Sequence, residues 1–325
     1  MSVGIADIER AAERLKGMAV KTPVLESPRL NQRLGGRVLF KAECLQRTGS
    51  FKFRGAWNMI SQIDPAKTPG GVVAFSSGNH AQGVAAAAGI RGLRAVIVMP
   101  ADTPQIKQEN TKGYGAEVIT YDRASQDREA IAGALVKERG AVLVPPFEHE
   151  HIIAGQGTAG LELAEDAAQR GVVLDDVLVN CSGGGLVAGV ATAFAARSPS
   201  TKVYAVEPEG FDDTARSLKS GVREKNPRAS GSLLDALMSV SPGELTFAIN
   251  RKLLAGAFAV SDAEACAAMR FAFDDLKLVV EPGGAAGLAA VLQGRLPVKG
   301  RTIGVILSGG NVDAALYARV LKGEI

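Results

Sequence analysis

The chain has 325 residues, 46% hydrophobic and 22% charged, a balance that excludes a disordered or fibrous protein and, at about 150 residues per domain, leaves room for two domains. Lys and Arg number 37 against 34 Asp and Glu, a net charge of +3 with no basic block, so nucleic acid is not an expected partner and a small molecule is. No apolar run approaches the ~20 residues that cross a membrane, and Cys44, Cys181 and Cys266 are too widely separated to suggest a disulfide framework or a zinc site.

The stretch from Met1 to Lys21 sets Asp7, Glu9, Arg10, Glu13, Arg14 and Lys16 among apolar residues at helical spacing. It reads as a helix and not as a signal peptide, so the cytoplasm is the expected location. From Arg37 onward short β-branched runs alternate with helical stretches, at 38–40, 72–75, 95–98, 118–120 and 141–144, and then at 177–179, 203–206 and 303–307. Continuous apolar strands separated by helices predict an α/β fold of open, twisted, mostly parallel sheets with helices on both faces. One series closes near Pro145-Pro146 and another begins around Ile152, which predicts two such sheets. The segment from Lys219 to Ser241 holds several Gly, Pro and Ser residues without periodicity and is expected to be a surface excursion.

Ligands of open parallel sheets bind beyond the carboxyl ends of the strands, and the informative segments fall at such points. Ser76-Ser77-Gly78-Asn79-His80 follows one predicted strand, Ser182-Gly183-Gly184-Gly185-Leu186 a second, and Ser308-Gly309-Gly310-Asn311 a third. The glycine run suits a phosphate held by backbone N–H groups at a helix N-terminus, although a tight strand-to-helix turn would need the same residues. It is neither a P-loop nor a dinucleotide fingerprint, which disfavours ATP and NAD. Lys52 lies between Phe51 and Phe53 at the start of a helical stretch. An ammonium between two rings is poorly hydrated, so its pKa should fall and the carbonyl-attacking neutral amine should become accessible; a snorkelling surface lysine is the alternative. A phosphate cradle, a reactive lysine and polar turns together suggest pyridoxal phosphate, which forms a Schiff base with lysine.

The Lys52 segment, the three turns and Glu281-Pro282-Gly283-Gly284-Ala285-Ala286-Gly287 together resemble, in order and nearly end to end, the threonine dehydratase and serine racemase family of the tryptophan-synthase-β-like fold. The resemblance implies a cofactor in the cleft between a large domain, residues 1–68 and 148–325, and a small mobile domain, residues 69–147. It implies that Lys52 holds the cofactor aldehyde and later removes the Cα proton, that Phe51 lines the ring pocket, and that Asn79 bonds the ring hydroxyl. It further implies that Gly183, Gly184, Gly185 and Leu186 bind the phosphate and that Ser308 faces the pyridine nitrogen. Ser77 would be either a second base, as in racemases, or a helix cap or carboxylate ligand beside Ser76, Asn79 and His80.

Glu207-Pro208-Glu209-Gly210-Phe211-Asp212-Asp213 clusters carboxylates, ordinarily a solvated loop. By the resemblance Glu207, Asp213 and the Phe211 carbonyl would hold a divalent cation, Mg²⁺ or Ca²⁺. Arg128 would be a solvated helix residue or, as in racemase-like members, would reach the active site and pair with a second substrate carboxylate. The expected activity is dehydration of a β-hydroxy-α-amino acid, L-threonine or L-serine by default, to a 2-oxo acid and ammonia. 3-Hydroxyaspartate, phenylserine and serine racemisation are the alternatives, and a homodimer is the expected assembly. Ser182 and Leu234-Asp235-Ala236 depart from the family pattern, and the Ala236 methyl is expected to narrow or tilt the pocket.

Overall fold

The structure is a computed structural model that describes residues 3–76, 78–103, 105–122 and 125–325. Within these residues the strands are β1 (Val24–Leu25), β2 (Arg37–Lys41), β3 (Val72–Phe75), β4 (Ala95–Pro100), β5 (Glu117–Tyr121), β6 (Val142–Leu143), β7 (Asp176–Asn180), β8 (Lys202–Pro208), β9 (Leu254–Val260) and β10 (Thr302–Ile306). They form a six-stranded sheet in the order β1-β2-β10-β7-β8-β9 and a four-stranded sheet in the order β5-β4-β3-β6. Every pairing is parallel except β1 with β2. Strands β3, β4 and β7 are buried at every position, as a sheet covered on both faces requires, and their apolar runs are what the sequence displays. Among the described residues no helix is long and apolar enough to cross a membrane.

Strands β1 and β9 were not expected. The first is only two residues long, and the second begins directly at the end of helix Glu244–Leu253 with no turn residue between them, so its small side chains read as more helix. The irregular stretch after Lys219 is not wholly a surface excursion. Its end folds back as the turn Asp235–Leu237, with Leu234 and Leu237 buried in the core and residues 235–239 lining the cleft described below.

Helix Lys52–Ile60 is fixed by a buried ionic cluster two residues into its length. The fully buried Arg54 guanidinium donates to both Glu43 oxygens at 2.7 and 2.8 Å and to both Glu162 oxygens at 2.7 and 2.8 Å. Burial alone would raise the Glu43 carboxyl, but the Arg54 charge and hydrogen bonds bring it below the ordinary carboxylate value. Lys41, also fully buried, donates to Thr22 O at 2.7 Å and lies 2.6 Å from Glu162. The cluster joins β2, helix Lys52–Ile60 and helix Glu150–Gln169, and so holds the start of the Lys52 helix against both.

Candidate active site

The carboxyl ends of β3, β7 and β10 face a common cleft of about 210 Å³ whose walls come from both sheets. The floor is built by a short antiparallel contact between Ser50 and Gly309, beside which the Phe51 N–H donates to Ser308 O at 3.1 Å. Lys52 follows immediately as the first residue of its helix and lines the cleft. Its Nζ donates to Pro146 O at 2.8 Å and stands 5.1 Å from the centre of the Phe51 ring. Burial lowers its pKa to about 8, so an appreciable share of the amine is neutral near physiological pH. The expected sandwich between two rings is not formed. Phe53 is buried on the other side of the helix, stacked on Trp57 with ring centres 6.1 Å apart, because successive helical residues diverge by about 100°.

Opposite Lys52, β7 ends at Asn180 and the chain turns through Ser182 to Gly185 into helix Gly185–Arg197. The turn demands glycine. Gly184 has φ +92°, and a Cβ on Gly183 would lie 2.3 Å from the Phe147 ring. The loop carbonyls are taken up from behind: Thr246 Oγ1 donates to Gly183 O at 2.6 Å and Asn250 Nδ2 to Gly184 O at 3.3 Å. The first N–H groups of the helix, including that of Leu186, have no partner within it, which is the chemistry of an anion cradle. Ser182, the departure from the family pattern, shares a 2.8 Å hydrogen bond with Ser239 and ties this loop to the 235–239 segment. Ala236 lines the cleft, and its methyl lies 3.2 Å from where a Cβ on Gly283 would stand, so the missing side chain of Gly283 makes room for it.

Ser308 is buried at the end of β10, and its hydroxyl has a defined polarity. Asn180 Nδ2 donates to Ser308 Oγ at 2.9 Å while Asn180 Oδ1 accepts from the Gly287 N–H at 2.7 Å. The serine oxygen therefore accepts from Asn180 and its O–H remains free to donate into the cleft.

Asn79 begins helix Asn79–Ile90, where Gly78 precedes it and Ser76 Oγ accepts the Gly78 N–H at 3.2 Å. Its Nδ2 donates to Glu281 at 2.6 Å, and its Oδ1 accepts from Asn311 at 2.8 Å. His80 is no surface histidine: it is buried, its Nε2 shares a 2.9 Å hydrogen bond with Val144 O, and burial together with the nearby Lys52 charge lowers its pKa to about 3. A neutral ring with its proton on Nε2 leaves a lone pair on Nδ1, so the side chain cannot donate to a carboxylate and only the backbone N–H remains for that purpose. Ser77 lies outside the described residues.

Arg128 is the first residue of helix Arg128–Arg139, which Asp127 caps by accepting from the Glu129 and Ala130 N–H groups. Its guanidinium lies 5.2 Å from the centre of the Phe75 ring, on the cleft wall. Lys107 from helix Gln105–Gly113 pairs with Asp235 at 3.0 Å across the same opening.

Glu207, Phe211 and Asp213 do not line the cleft. Glu207 accepts the N–H groups of Thr214 and Ala215 at 2.9 Å each, and Asp213 accepts from Asn226 at 2.6 Å. Burial and the neighbouring Asp213 push Glu207 up to about 8, and burial pushes Asp213 up to about 6. The second Asp213 oxygen is buried without a hydrogen-bond partner among the described residues. Among the described residues no group of three or more His, Cys, Asp and Glu side chains is gathered for a metal.

The sequence left several cleft residues unassigned. Pro146 closes an ordinary-looking proline pair and Phe147 follows it. Thr246 and Asn250 leave a faint signal, since residues four apart share a helix face, and so does Asn180, a polar residue closing an apolar strand. These residues suit pyridoxal phosphate: a glycine cradle for its phosphate, a buried low-pKa amine for its aldehyde and a hydroxyl donor for its ring nitrogen.

Comparison with known proteins agrees. The chain is 45% identical over 319 residues to the L-threo-3-hydroxyaspartate ammonia-lyase of a Pseudomonas species, covering 98% of each chain. It is 43% identical over 320 residues to the L-threo-3-hydroxyaspartate ammonia-lyase of Saccharomyces cerevisiae, covering 98% of this chain and 96% of that one. Maize serine racemase superposes with a TM-score of 0.92 at 37% identity, over 100% of this chain and 98% of that one. The family profile described as pyridoxal-phosphate dependent enzyme matches residues 16–309, and the chain belongs to that family.

Proposed function

We propose that the protein is a pyridoxal-phosphate ammonia-lyase acting on β-hydroxy-α-amino acids, with a preference for one that carries a side-chain carboxylate, such as 3-hydroxyaspartate. The observation that carries the chemistry is the buried Lys52 amine facing a glycine cradle; the one that carries the preference is Arg128 on the cleft wall. When bound, the cofactor supplies an aldehyde for the substrate amine and a ring that draws electrons from Cα. Lys52 holds that aldehyde and, once released, takes the Cα proton on Nζ. The N–H groups of Gly183, Gly184, Gly185 and Leu186 hold the phosphate, Phe51 lines the ring pocket, and the remaining Asn79 N–H serves the ring hydroxyl. Ser308 donates its O–H to the ring nitrogen, which keeps that nitrogen unprotonated and favours loss of a β-substituent over a long-lived carbanion. Ser76 and the N–H groups opening helix Asn79–Ile90 hold the substrate α-carboxylate. Loss of the Cα proton and the β-hydroxyl removes water, and water re-enters on hydrolysis, giving a 2-oxo acid and ammonia.

L-Threonine and L-serine suit the same elimination, and the named relatives favour a substrate with an additional carboxylate. Ammonia release across L-threonine, L-serine, the 3-hydroxyaspartate diastereomers and phenylserine tests the ordering. Arg128→Ala is expected to lower kcat/KM for 3-hydroxyaspartate roughly 10- to 100-fold, the worth of one charge-assisted hydrogen bond, with little change for threonine. Equal losses on both substrates would remove Arg128 as a carboxylate ligand. The likeness to a serine racemase favours racemisation as a second reading, with Ser77 as the second base; D-serine formed as fast as pyruvate would move the assignment there.

A divalent cation, Mg²⁺ or Ca²⁺, is part of the same proposal, held by Glu207, Asp213 and the Phe211 carbonyl. Two adjacent buried carboxyl groups, one oxygen of which has no partner among the described residues, favour it. Removal of metal with EDTA should lower Tm by a few degrees and either ion should restore it; an unchanged Tm in both directions would exclude the site. Residues 69–147 are proposed to move as a small domain against residues 1–68 and 148–325, with the Lys107–Asp235 pair closing the cleft mouth, in a cytoplasmic homodimer.

A further inference from the structure

We infer that Glu281 is a positioning residue for Asn79: with Asn311 it fixes which end of the Asn79 amide faces the cleft, and it thereby tunes the electronic environment of the group bound there. The inference rests on the cleft being a pyridoxal-phosphate site.

The polarity of the network follows from donor counting. Asn311 Nδ2 donates to Thr48 O at 2.7 Å and to Asn79 Oδ1 at 2.8 Å, which uses both of its hydrogens. Asn79 must therefore turn its oxygen toward Asn311, and its amino group spends one hydrogen on Glu281 at 2.6 Å. One N–H is left over for the cleft. A flipped Asn79 would set its NH₂ group against that of Asn311, so Asn311 fixes the orientation and Glu281 fixes the position.

The place for the carboxyl is built into the backbone. Glu281 is only 5% exposed, and its own N–H donates to Gly309 O at 3.0 Å. A Cβ on Gly309 would lie 2.2 Å from the Glu281 carboxyl oxygen and 3.1 Å from Asn79 Nδ2. The glycine of the Ser308-Gly309-Gly310-Asn311 turn is thus the floor over which the Glu281–Asn79 pair passes. The pair also crosses the cleft: Asn79 opens the helix that follows β3, whereas Glu281 and Asn311 belong to the side of β10.

The charge state of Glu281 completes the device. Burial, with Asp235 adding to it, pushes the carboxyl up to about 8, while the Asn79 hydrogen bond and the Lys107 charge work in the opposite direction. Cys44 lies close enough to feel the Glu281 charge and is itself held neutral, its thiol pushed up to about 12 by burial first and by the charges of Glu43 and Glu281. Below about pH 8 Glu281 is an uncharged acid that accepts from Asn79 through its carbonyl oxygen; above it, a negative charge appears beside the bound ring.

Titration of the visible absorbance band of the holoenzyme reads this directly. The wild type is expected to show a spectral transition centred near pH 8. Glu281→Gln keeps the acceptor and loses the proton, so its spectrum should not change with pH and its cofactor affinity, by equilibrium dialysis, should stay within about threefold of wild type. Glu281→Leu loses the acceptor and should weaken cofactor binding roughly 5- to 10-fold. Asp235→Asn removes a like charge at a half-exposed position and should lower the midpoint of the transition, whereas Lys107→Met should raise it. A Glu281→Leu variant with wild-type affinity and spectrum overturns the inference, and so does a Glu281→Gln variant that keeps the transition. A wild-type protein that takes up no cofactor overturns instead the reading of the cleft.

Discussion

Replacing Lys52 by alanine is expected to abolish turnover, with kcat falling at least about 10³-fold, because the residue serves both as the anchor of the cofactor and as the base at Cα. Lys52→Arg should be equally inactive, since a guanidinium keeps the positive charge but neither attacks an aldehyde nor gives up a proton at neutral pH. Turnover retained by the arginine variant would show that the amine is not the reacting group. The wild-type residue also carries a pH signature. Burial lowers its pKa to about 8, so the charged form dominates below that value and the reactive free amine above it. Cofactor uptake by apoprotein should therefore quicken as pH rises through about 8 and level off beyond it, whereas an exposed lysine would keep quickening toward its ordinary value. Stopped-flow absorbance across that range distinguishes the two.

Arg54→Ala is expected to produce the largest loss of stability, about 3–5 kcal/mol, measured as a lower urea midpoint at unchanged slope. The size comes from what is left behind more than from what is removed. Glu43 is fully buried, and without Arg54 its only remaining side-chain donor among the described residues is Thr22 at 2.5 Å, with Lys41 as the nearby charge. It must either bear an uncompensated charge or take up a proton. The double variant Arg54→Leu, Glu43→Gln should recover part of the loss, because a neutral pair no longer faces that choice. A single-variant loss under about 1 kcal/mol would mean that the cluster is solvated and worth no more than a surface ion pair.

What was legible in the sequence depended on range. Runs such as 72–75 and 95–98 announce buried strands because a residue's neighbours along the chain share its environment, and they are found at β3 and β4. The turns after β3, β7 and β10 announced a ligand site for the same local reason. The partners of the site were hidden because the contacts are not local: Lys52 meets a carbonyl 94 positions away, Asn180 a hydroxyl 128 away, and Asn311 a carbonyl 263 away. Glu281 stood within a recognised motif, yet a carboxylate beside Pro and Gly reveals neither its burial nor its hold on Asn79. Phe53 marks the opposite failure, where adjacency in sequence suggested a contact that helical geometry forbids.

Whether Lys52 carries the cofactor can be measured without any choice of substrate. Protein loaded with pyridoxal phosphate is reduced with borohydride, digested, and its peptides are analysed by mass spectrometry. The visible band should bleach, and a single phosphopyridoxyl label should be found on the peptide containing Lys52. A colourless protein, or a label on Lys107, Lys41 or scattered surface lysines with Lys52 unmodified, would show that Lys52 is not the cofactor's anchor.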